Sequence, residues 1–355
     1  MNQFSFDFNA PKEPESEPPK PAPPKPVVPT KASVQPAVAP NRADTDETAL
    51  EAMAQRLEQD PDFRVLRRLV PISDFGPRPL STDATGALAP SHRVIVLDTE
   101  TTGLSHQADK IIELAMLMVN VDSVTGLPFG TVALYEGFED PGMPIPAIAK
   151  EVTGITDEMV RGMRLDDEAV AQMLAQADLI VAHNAGFDRP FVEARFPDFA
   201  SKAWGCSFKD VDWKSVGATS LKLGALAADH GWFFDAHRAQ VDCHALLQIL
   251  ARPLGNSGLT GLGQLITAGS QPSYKLSATG SPFESKDALK GRGYRWDGEA
   301  KVWSCTLSDD TALEQELEWL AEAVYGGRAA TVDIERLDGH TRYSVRRGML
   351  EKRRL

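Results

Sequence analysis

Two carboxylates, Asp98 and Glu100, stand at the end of an apolar segment that reads VIVLDTETTGL over residues 94–104. Residues two apart in a strand point to the same face of a sheet, so the two acids project together. Carboxylates at that separation repel each other unless a cation lies between them. The pair is explained either as acids exposed at a strand end or as part of a cation site. Other residues of the chain are needed to distinguish these two interpretations.

A later segment, VAHNAGFDRPF, supplies polar residues where another predicted strand meets a helix. His183 and Asn184 fall at the tip of the strand. Asp188 falls in the first turn of the following helix, close to its positive end, which favours a negative charge.

A third segment, HRAQVDCHALL, opens the last predicted helix of the same region. On one regular helix, His237 and Asp242 would diverge by about 140°. We therefore expect His237 on the loop before the helix and Asp242 on the first inward-facing position.

Each of these residues alone also has a purely structural explanation. The helix dipole would stabilise Asp188, Asp242 could be a satisfied polar residue beside Leu246, and a lone histidine is more often a surface residue than a base. Those explanations do not predict all of them together, in this order, at the ends of successive elements of one sheet. The complete set favours a shared cation site.

In this order, the motifs DTETTGL, HNAGFD and HRAQVD resemble the DEDDh family of 3'-to-5' exonucleases, which includes the proofreading subunit of bacterial replicative DNA polymerase. The resemblance extends to TGIT, at residues 153–156, after the third predicted strand. The sister type of the family carries Tyr before the last acid, and here that residue is His237. The resemblance implies a ribonuclease H-like fold and hydrolysis of DNA from its 3' end, in proofreading or repair.

The resemblance also implies a role for each residue. Asp98 would bridge two Mg²⁺ or Mn²⁺ ions, Glu100 and Asp242 would hold the ion that activates water, and Asp188 would orient the second ion through its waters. His237 would be the general base that takes the proton of the water. Oxygen ligands suit these ions better than zinc, and a phosphodiester needs both charge neutralisation and a nucleophile.

A pocket for the terminal nucleotide is implied as well. The residues after the first two acids would form its floor, with backbone amides at the 3' end and a leucine side chain near the base. Two residues after the later strand would flank the same nucleotide. The expected pocket residues are Thr101, Thr102, Gly103, Leu104, His183 and Asn184.

Two other functions stay open at this point. An exoribonuclease of the same fold would carry the same acids and would differ only around Thr101 and Thr102, where a 2'-hydroxyl is sensed. A non-catalytic adaptor would be expected to have lost at least one acid, and none is lost. We expect a DNA exonuclease acting on a single-stranded or frayed 3' end, with RNA as the alternative substrate.

The composition of the 355-residue chain is that of a soluble globular protein, with 42% hydrophobic residues. Its formal net charge of -13 argues against binding nucleic acid by bulk electrostatics, so any such contact must be local. The longest apolar stretch, IIELAMLMVNV, is interrupted by Glu113 and too short to span a membrane. With three distant cysteines and no signal-like start, we expect a cytoplasmic, reduced protein with no membrane partner.

Composition divides the chain into five segments. Residues 1–45 are a Pro-rich tail that we expect to be disordered, and residues 46–91 are a helical preface and linker. The α/β domain, a mixed sheet flanked by helices, is expected over residues 92–253. A Gly/Ser-rich linker over 254–273 then leads to a small α+β module over 274–355, whose role the sequence does not indicate.

The N-terminal segments carry two further patterns. QFSFDF at residues 3–8 resembles the Gln-led peptides that bacterial replication proteins dock into the sliding clamp, although Phe replaces the more usual Leu. The alternative is a stray apolar terminus. Farther along, a helical period runs from Leu50 to Leu69, and Pro71 is expected to end it.

In the C-terminal module, hairpins are expected at two Asp-Gly pairs, which begin at Asp297 and Asp338. Across the first hairpin, Trp296 and Trp303 should face each other, with basic residues around them. Such tryptophans form either the core of a small domain or a platform on which single-stranded bases stack.

Overall fold

The computed structural model describes residues 47–255 and 258–355. The predicted disordered tail and the clamp-binding peptide at residues 3–8 lie outside the described residues. Within the described residues, no helix is long and apolar enough to cross a membrane. Residues 57–355 form one compact unit.

The first described helix, α1 (Glu47–Glu58), is shorter than its sequence pattern. The prediction that a helical period continues to Leu69 is wrong, since the chain leaves the helix after Glu58. Pro61 explains the early end, because it has no backbone N–H and disfavours the helical conformation at the preceding Asp60. A two-residue strand follows, β1 (Arg67–Arg68).

A five-stranded mixed sheet forms the centre of the next region, with the strand order β4-β3-β2-β5-β6. Strands β2, β3 and β4 are antiparallel neighbours, whereas β5 and β6 run parallel to β2. The predicted order of three successive strands followed by helix and strand alternation is confirmed. The strands are β2 (Ser91–Thr101), β3 (Ile111–Asp122), β4 (Pro128–Phe138), β5 (Leu179–Ala182) and β6 (Ala203–Cys206).

Both faces of the sheet are covered by helices. Successive residues of its central strand, β2, point to opposite faces and enter two different hydrophobic cores. Val94 and Val96 join one hydrophobic cluster, and Ile95 and Leu97 join another. All four are fully buried, as the period of two in a strand requires. A short strand, β7 (Trp232–Phe233), pairs with β1. The helices are α2 (Ala147–Thr153), α3 (Asp157–Val160), α4 (Asp167–Gln176), α5 (Ala185–Arg195), α6 (Ser207–Asp210), α7 (Leu223–Asp229) and α8 (Ala239–Leu250).

The linker predicted over 254–273 is wrong across its centre, where helix α9 (Gly261–Ser270) packs on the sheet. Leu262 and Leu265, three residues apart, are fully buried in the same cluster as Val94. The glycines permit this close packing: a Cβ on Gly261 would lie 2.6 Å from the side chain of Leu250. The glycines suggested a flexible linker in the sequence, but in the structure they let α9 approach its neighbours closely.

A second five-stranded sheet forms the C-terminal module, with the order β12-β11-β8-β10-β9. Its antiparallel β9 and β10 place Trp296 opposite Trp303, which confirms the first predicted hairpin. In the second predicted hairpin the turn is wrong: β11 does pair with the next strand, β12, but a long loop over residues 338–348 replaces the expected tight turn at Asp338. The elements are β8 (Ser273–Ser277), α10 (Lys286–Gly291), β9 (Arg295–Asp297), β10 (Val302–Leu307), α11 (Asp310–Trp319), β11 (Thr331–Leu337) and β12 (Met349–Arg354).

The long loop attaches the module to the first sheet. The backbone N–H of Trp204 on β6 donates to the carbonyl of Gly339 at 2.8 Å, so the loop covers the edge of that sheet. The fully buried guanidinium of Arg189 on α5 donates to the carbonyl oxygens of Arg342 at 2.5 Å and His340 at 2.6 Å. Glu193 accepts from the same guanidinium at 2.7 Å. The loop is therefore held by a buried cation that donates hydrogen bonds both to the loop and to α5.

Replacing Arg189 by Met is expected to destabilise the whole protein. The substitution removes the buried hydrogen bonds from Arg189 to three loop carbonyls and to Glu193, and we expect the free energy of unfolding to fall by about 3 kcal/mol. Urea denaturation measures the change. The control is Arg161→Met, which removes an ion pair whose side chains are 72% and 74% exposed and should change the value by less than about 0.5 kcal/mol. Equal effects of the two substitutions would contradict the assigned role of Arg189.

Candidate active site

Three carboxylates meet at the end of the central strand. Asp98 and Glu100 extend from β2, and Asp242 extends from the first turn of α8. One oxygen of each lies within 4.8 Å of one oxygen of the others. Between Glu100 and Thr101 the pairing of β2 with β3 shifts register, which re-aims the chain where the acids end.

Asp188 approaches this group from α5 and is 2% exposed. Thr99, between the first two acids, donates its backbone N–H at 3.1 Å and its hydroxyl at 2.8 Å to Oδ1 of Asp188. The structure thus ties the fourth acid to β2, although it places Asp188 outside the group of three. The charge of Asp188 still raises the pKa of Asp98.

Burial and mutual repulsion dominate the protonation of these acids. Burial, followed by the charges of Asp188 and Asp242, raises the pKa of Asp98 well above its ordinary value. Burial and then the charge of Asp242 raise the pKa of Glu100 to about 8, although Arg238 opposes the shift. Burial also raises the pKa of Asp188, to about 7, and that of Asp242. The site carries more negative charge than its surroundings neutralise.

His237 lies on the loop before α8, as its spacing from Asp242 predicts, and its side chain is exposed. Its backbone is left-handed, with φ of 69°, which costs about 1 kcal/mol or more for a residue with a side chain. Oδ2 of Asp242 holds this conformation by accepting from the backbone N–H groups of His237 at 2.8 Å and Arg238 at 3.1 Å. Oδ1 of Asp242 accepts no hydrogen bond from the described residues.

A partly buried ion pair, which the sequence reasoning missed, anchors the same loop. Glu113 on β3 is fully buried opposite Glu100 and accepts from the guanidinium of Arg238 at 2.9 Å. Its other oxygen accepts from the backbone N–H of Ala239 at 3.0 Å, at the start of α8. The available signal was a glutamate within an apolar strand, together with a basic residue next to His237. The pair fixes where α8 begins.

The turn after the acids is organised by a second missed residue, Asp109. Its carboxylate accepts from the hydroxyl of Thr102 at 3.2 Å and from the backbone N–H of Ser105 at 2.9 Å. Thr101 and Thr102 are buried, and a Cβ on Gly103 would lie 2.6 Å from the Asp109 carboxylate. In contrast, the side chain of Leu104 is 84% exposed beside the acids. Hydrogen bonds to Asp109 thus hold the turn, which presents one apolar side chain to solvent.

Of the two predicted flanking residues, His183 is committed to the protein. One ring nitrogen lies 2.8 Å from the hydroxyl of Ser207 and the other lies 2.8 Å from the carbonyl oxygen of Leu221. The ring also packs against Phe208, at 5.7 Å between centroids, so little of it is left for contact with a nucleotide. Asn184 is exposed and has a left-handed backbone, with φ of 71°, immediately before α5.

The ligand atoms fit a hard divalent cation. Asp98, Glu100 and Asp242 could hold a metal ion, and all three offer carboxylate oxygen, the donor that magnesium, manganese and calcium prefer. Cys243 follows Asp242, but its buried thiol donates to the carbonyl of Ala115 at 3.6 Å. A cation would also relieve the repulsion that raises the pKa values of these acids.

The amino-acid sequence is similar to those of known exonuclease domains and DNA polymerases. Residues 95–250 match the family model described as Exonuclease. The PolC-type DNA polymerase III of Thermotoga maritima is 30% identical over 207 residues, which are 55% of this chain and 14% of that protein. The corresponding protein of Listeria innocua is 39% identical over 103 residues, or 28% of this chain and 7% of that protein. This chain thus spans 14% or less of the length of these polymerases.

Among solved structures, Exonuclease X in complex with 5' overhanging duplex DNA is 25% identical, covers 49% of this chain and 98% of its own, and has a TM-score of 0.36. The strand order described above, together with the family match, confirms the ribonuclease H-like α/β fold class predicted from the sequence. Residues 95–250 of the chain are therefore similar to the exonuclease family.

Proposed function

We propose that this chain is a Mg²⁺- or Mn²⁺-dependent 3'-to-5' exonuclease that releases nucleoside monophosphates from the 3' end of DNA. The observation that carries the proposal is the convergence of Asp98, Glu100 and Asp242 within 4.8 Å, with Asp188 tied to the same strand. DNA is proposed as the substrate because the curated relatives are named as DNA polymerases. The cellular role proposed for it is proofreading or repair.

The four acids would bind two cations. Asp98 would contact both ions, Glu100 and Oδ1 of Asp242 would hold one, and Asp188 would orient the other. Bound cations supply neutralisation of the phosphate and a lower pKa for water. The chain holds the acids ready for this role, because Thr99 fixes Asp188 and the loop before α8 fixes Asp242.

His237 would take the proton of the attacking water. Its exposed position lets the imidazole reach the substrate, and histidine is the side chain that most often serves as a general base. The left-handed backbone and the hydrogen bond to Asp242 limit the positions that the ring occupies. The base is therefore positioned by one of the acids that bind the cations.

The turn over Thr101, Thr102, Gly103 and Leu104 would receive the terminal nucleotide. Its buried threonines and its Asp109 contacts keep the backbone fixed, while the exposed Leu104 offers an apolar surface for the base. Asn184 and the ring of His183 would flank the same nucleotide from the start of α5. Removal of one nucleotide at a time follows from a pocket for a strand end.

Asp98→Asn is expected to lower kcat by at least about 100-fold, because it removes one charge from the cation site. The assay follows 5'-labelled single-stranded and mismatched-primer oligonucleotides, of DNA and of RNA, with Mg²⁺ or with EDTA. A 3'-to-5' enzyme gives a ladder of labelled products shortened from the 3' end.

Asp198→Asn, an exposed acid outside the site, serves as the matched control and should retain wild-type activity. The proposal fails if wild-type protein gives no ladder, if the ladder forms equally in EDTA, or if Asp98→Asn matches the wild type. The RNA arm decides between the two substrates.

Cation binding should also change how stability depends on pH. Folding raises the pKa of Glu100 from 4.5 to about 8 and that of Asp188 from 3.8 to about 7 in the cation-free protein. Between those values the folded state binds more protons than the unfolded state, so the free energy of unfolding decreases as pH rises. We expect the Tm of EDTA-treated protein to fall between about pH 4.5 and pH 8.

Mg²⁺ should raise the Tm most at the upper end of this range, and Glu100→Gln should flatten the dependence. Differential scanning calorimetry at several pH values measures both effects. A Tm that is independent of Mg²⁺ at pH 8 would contradict the proposed cation site.

Glu113→Gln is expected to lower kcat about 10-fold with little change in KM, because the loop that carries His237 loses its ionic anchor. Steady-state kinetics on the labelled oligonucleotide measures both constants. Glu136→Gln is the control, since Glu136 lies 3.7 Å from the same guanidinium but does not bond to the start of α8. If both substitutions lower kcat equally, the effect comes from charge and not from anchoring the loop.

A further inference from the structure

An open cleft in the C-terminal module has a lining unlike the rest of that module. It encloses about 300 Å³ between the start of α10 and the β9–β10 hairpin. Aromatic and basic side chains dominate its wall. The residues that matter to its chemistry are Phe283, Lys286, Trp296, Lys301 and Trp303.

The aromatic side chains of the cleft are exposed to an unusual degree. Phe283 is 76% exposed and Trp296 is 53% exposed. Trp303 packs against the core of the module, and its ring lies 5.7 Å from that of Trp296. The sequence left two roles open for this tryptophan pair, the core of the domain or a platform for bases. Trp303 belongs to the core and packs against Trp296, which faces solvent. Large exposed aromatic rings held by their neighbours are typical of binding surfaces.

The charged side chains that line the cleft are both cationic. The ammonium of Lys286 lies 4.5 Å from the ring centroid of Phe283, and Lys301 lies in the turn of the hairpin with φ of 51°. The acids of the same hairpin and helix, such as Asp297 and Asp287, do not line it. In a chain of net charge -13, this is a local cationic and aromatic surface.

We propose that this cleft binds single-stranded nucleic acid. Bases would stack on the exposed rings of Trp296 and Phe283, and neighbouring phosphates would lie near Lys286 and Lys301. Stacking on aromatic rings beside cations binds single strands with little dependence on sequence, because every base has a flat face. The volume of about 300 Å³ accommodates a short stretch of a single strand.

This proposal rests on the proposed function, because the exonuclease activity identifies nucleic acid as the ligand. The buried guanidinium of Arg189 holds the module against α5, the helix that carries Asp188. A strand bound in the cleft would consequently be held in a fixed relation to the carboxylates. The cleft would bind the strand upstream of the end being hydrolysed, and it would favour long strands over short ones.

The test measures equilibrium binding by the full chain in EDTA, where no hydrolysis occurs. The probe is a 5'-fluorescein oligothymidylate, followed by fluorescence anisotropy over a range of salt concentrations. The double variant Trp296→Ala/Phe283→Ala should raise Kd by about 10-fold or more, since stacking contributes substantially per base. The double variant Lys286→Gln/Lys301→Gln should raise Kd and reduce its salt dependence, because fewer counterions are released.

The control variants are Phe63→Ala, which removes a ring that is 54% exposed elsewhere, and Lys214→Gln, which removes an exposed lysine outside the cleft. Both should bind as the wild type does. A second measurement compares kcat/KM on trinucleotides and on long oligonucleotides in Mg²⁺: the aromatic variant should lose activity only on long substrates.

The proposal is overturned if the cleft variants bind the oligothymidylate within about twofold of the wild type or no more weakly than the controls do. Failure of the proposed function would look different. In that case the wild type would give no 3'-end ladder in Mg²⁺, whatever the binding measured in EDTA.

Discussion

Repulsion among four carboxylates at the end of one strand is the constraint on which the rest of the site depends. Burial and neighbouring negative charges raise the pKa of Asp98 and of Glu100, so the acids stay close only because the fold holds them. The hydrogen bonds of Thr99 hold Asp188 against the strand, and the loop before α8 holds Asp242. Acids held at fixed positions in this way would suit the cations proposed for the site.

The parts of the fold predicted correctly are those that local patterns determine. The alternation and apolar content of VIVLDTE determine a central strand, and the five-residue spacing of His237 and Asp242 is enough to place one before the helix and one on it. Glu113 was missed as a partner because its ion pair with Arg238 joins residues 125 positions apart. The packed helix at residues 261–270 was missed for a similar reason, since its glycines gain their meaning only from the side chains that approach them.

The acidic character of the chain does not conflict with a polyanionic substrate. Negative charge is concentrated upstream of residue 272, where 36 acidic residues face 23 basic ones, whereas the module after it carries 14 of each. Carboxylates gathered at one point attract cations, and those cations attract phosphate. The lysines of the aromatic cleft would attract phosphate directly, without a bound metal cation. The two sites would thus engage one strand by different physical means.

The adjacency of Asp188 and Arg189 on one helical turn has a consequence for the boundaries of this protein. The family match ends at residue 250, yet three of the four acceptors of the Arg189 guanidinium are carbonyl oxygens at residues 339–342. A fragment cut at the end of the family match would leave this buried cation with Glu193 alone and would uncover the edge of β6. The segment that matches the family is therefore shorter than the segment that folds as one compact unit.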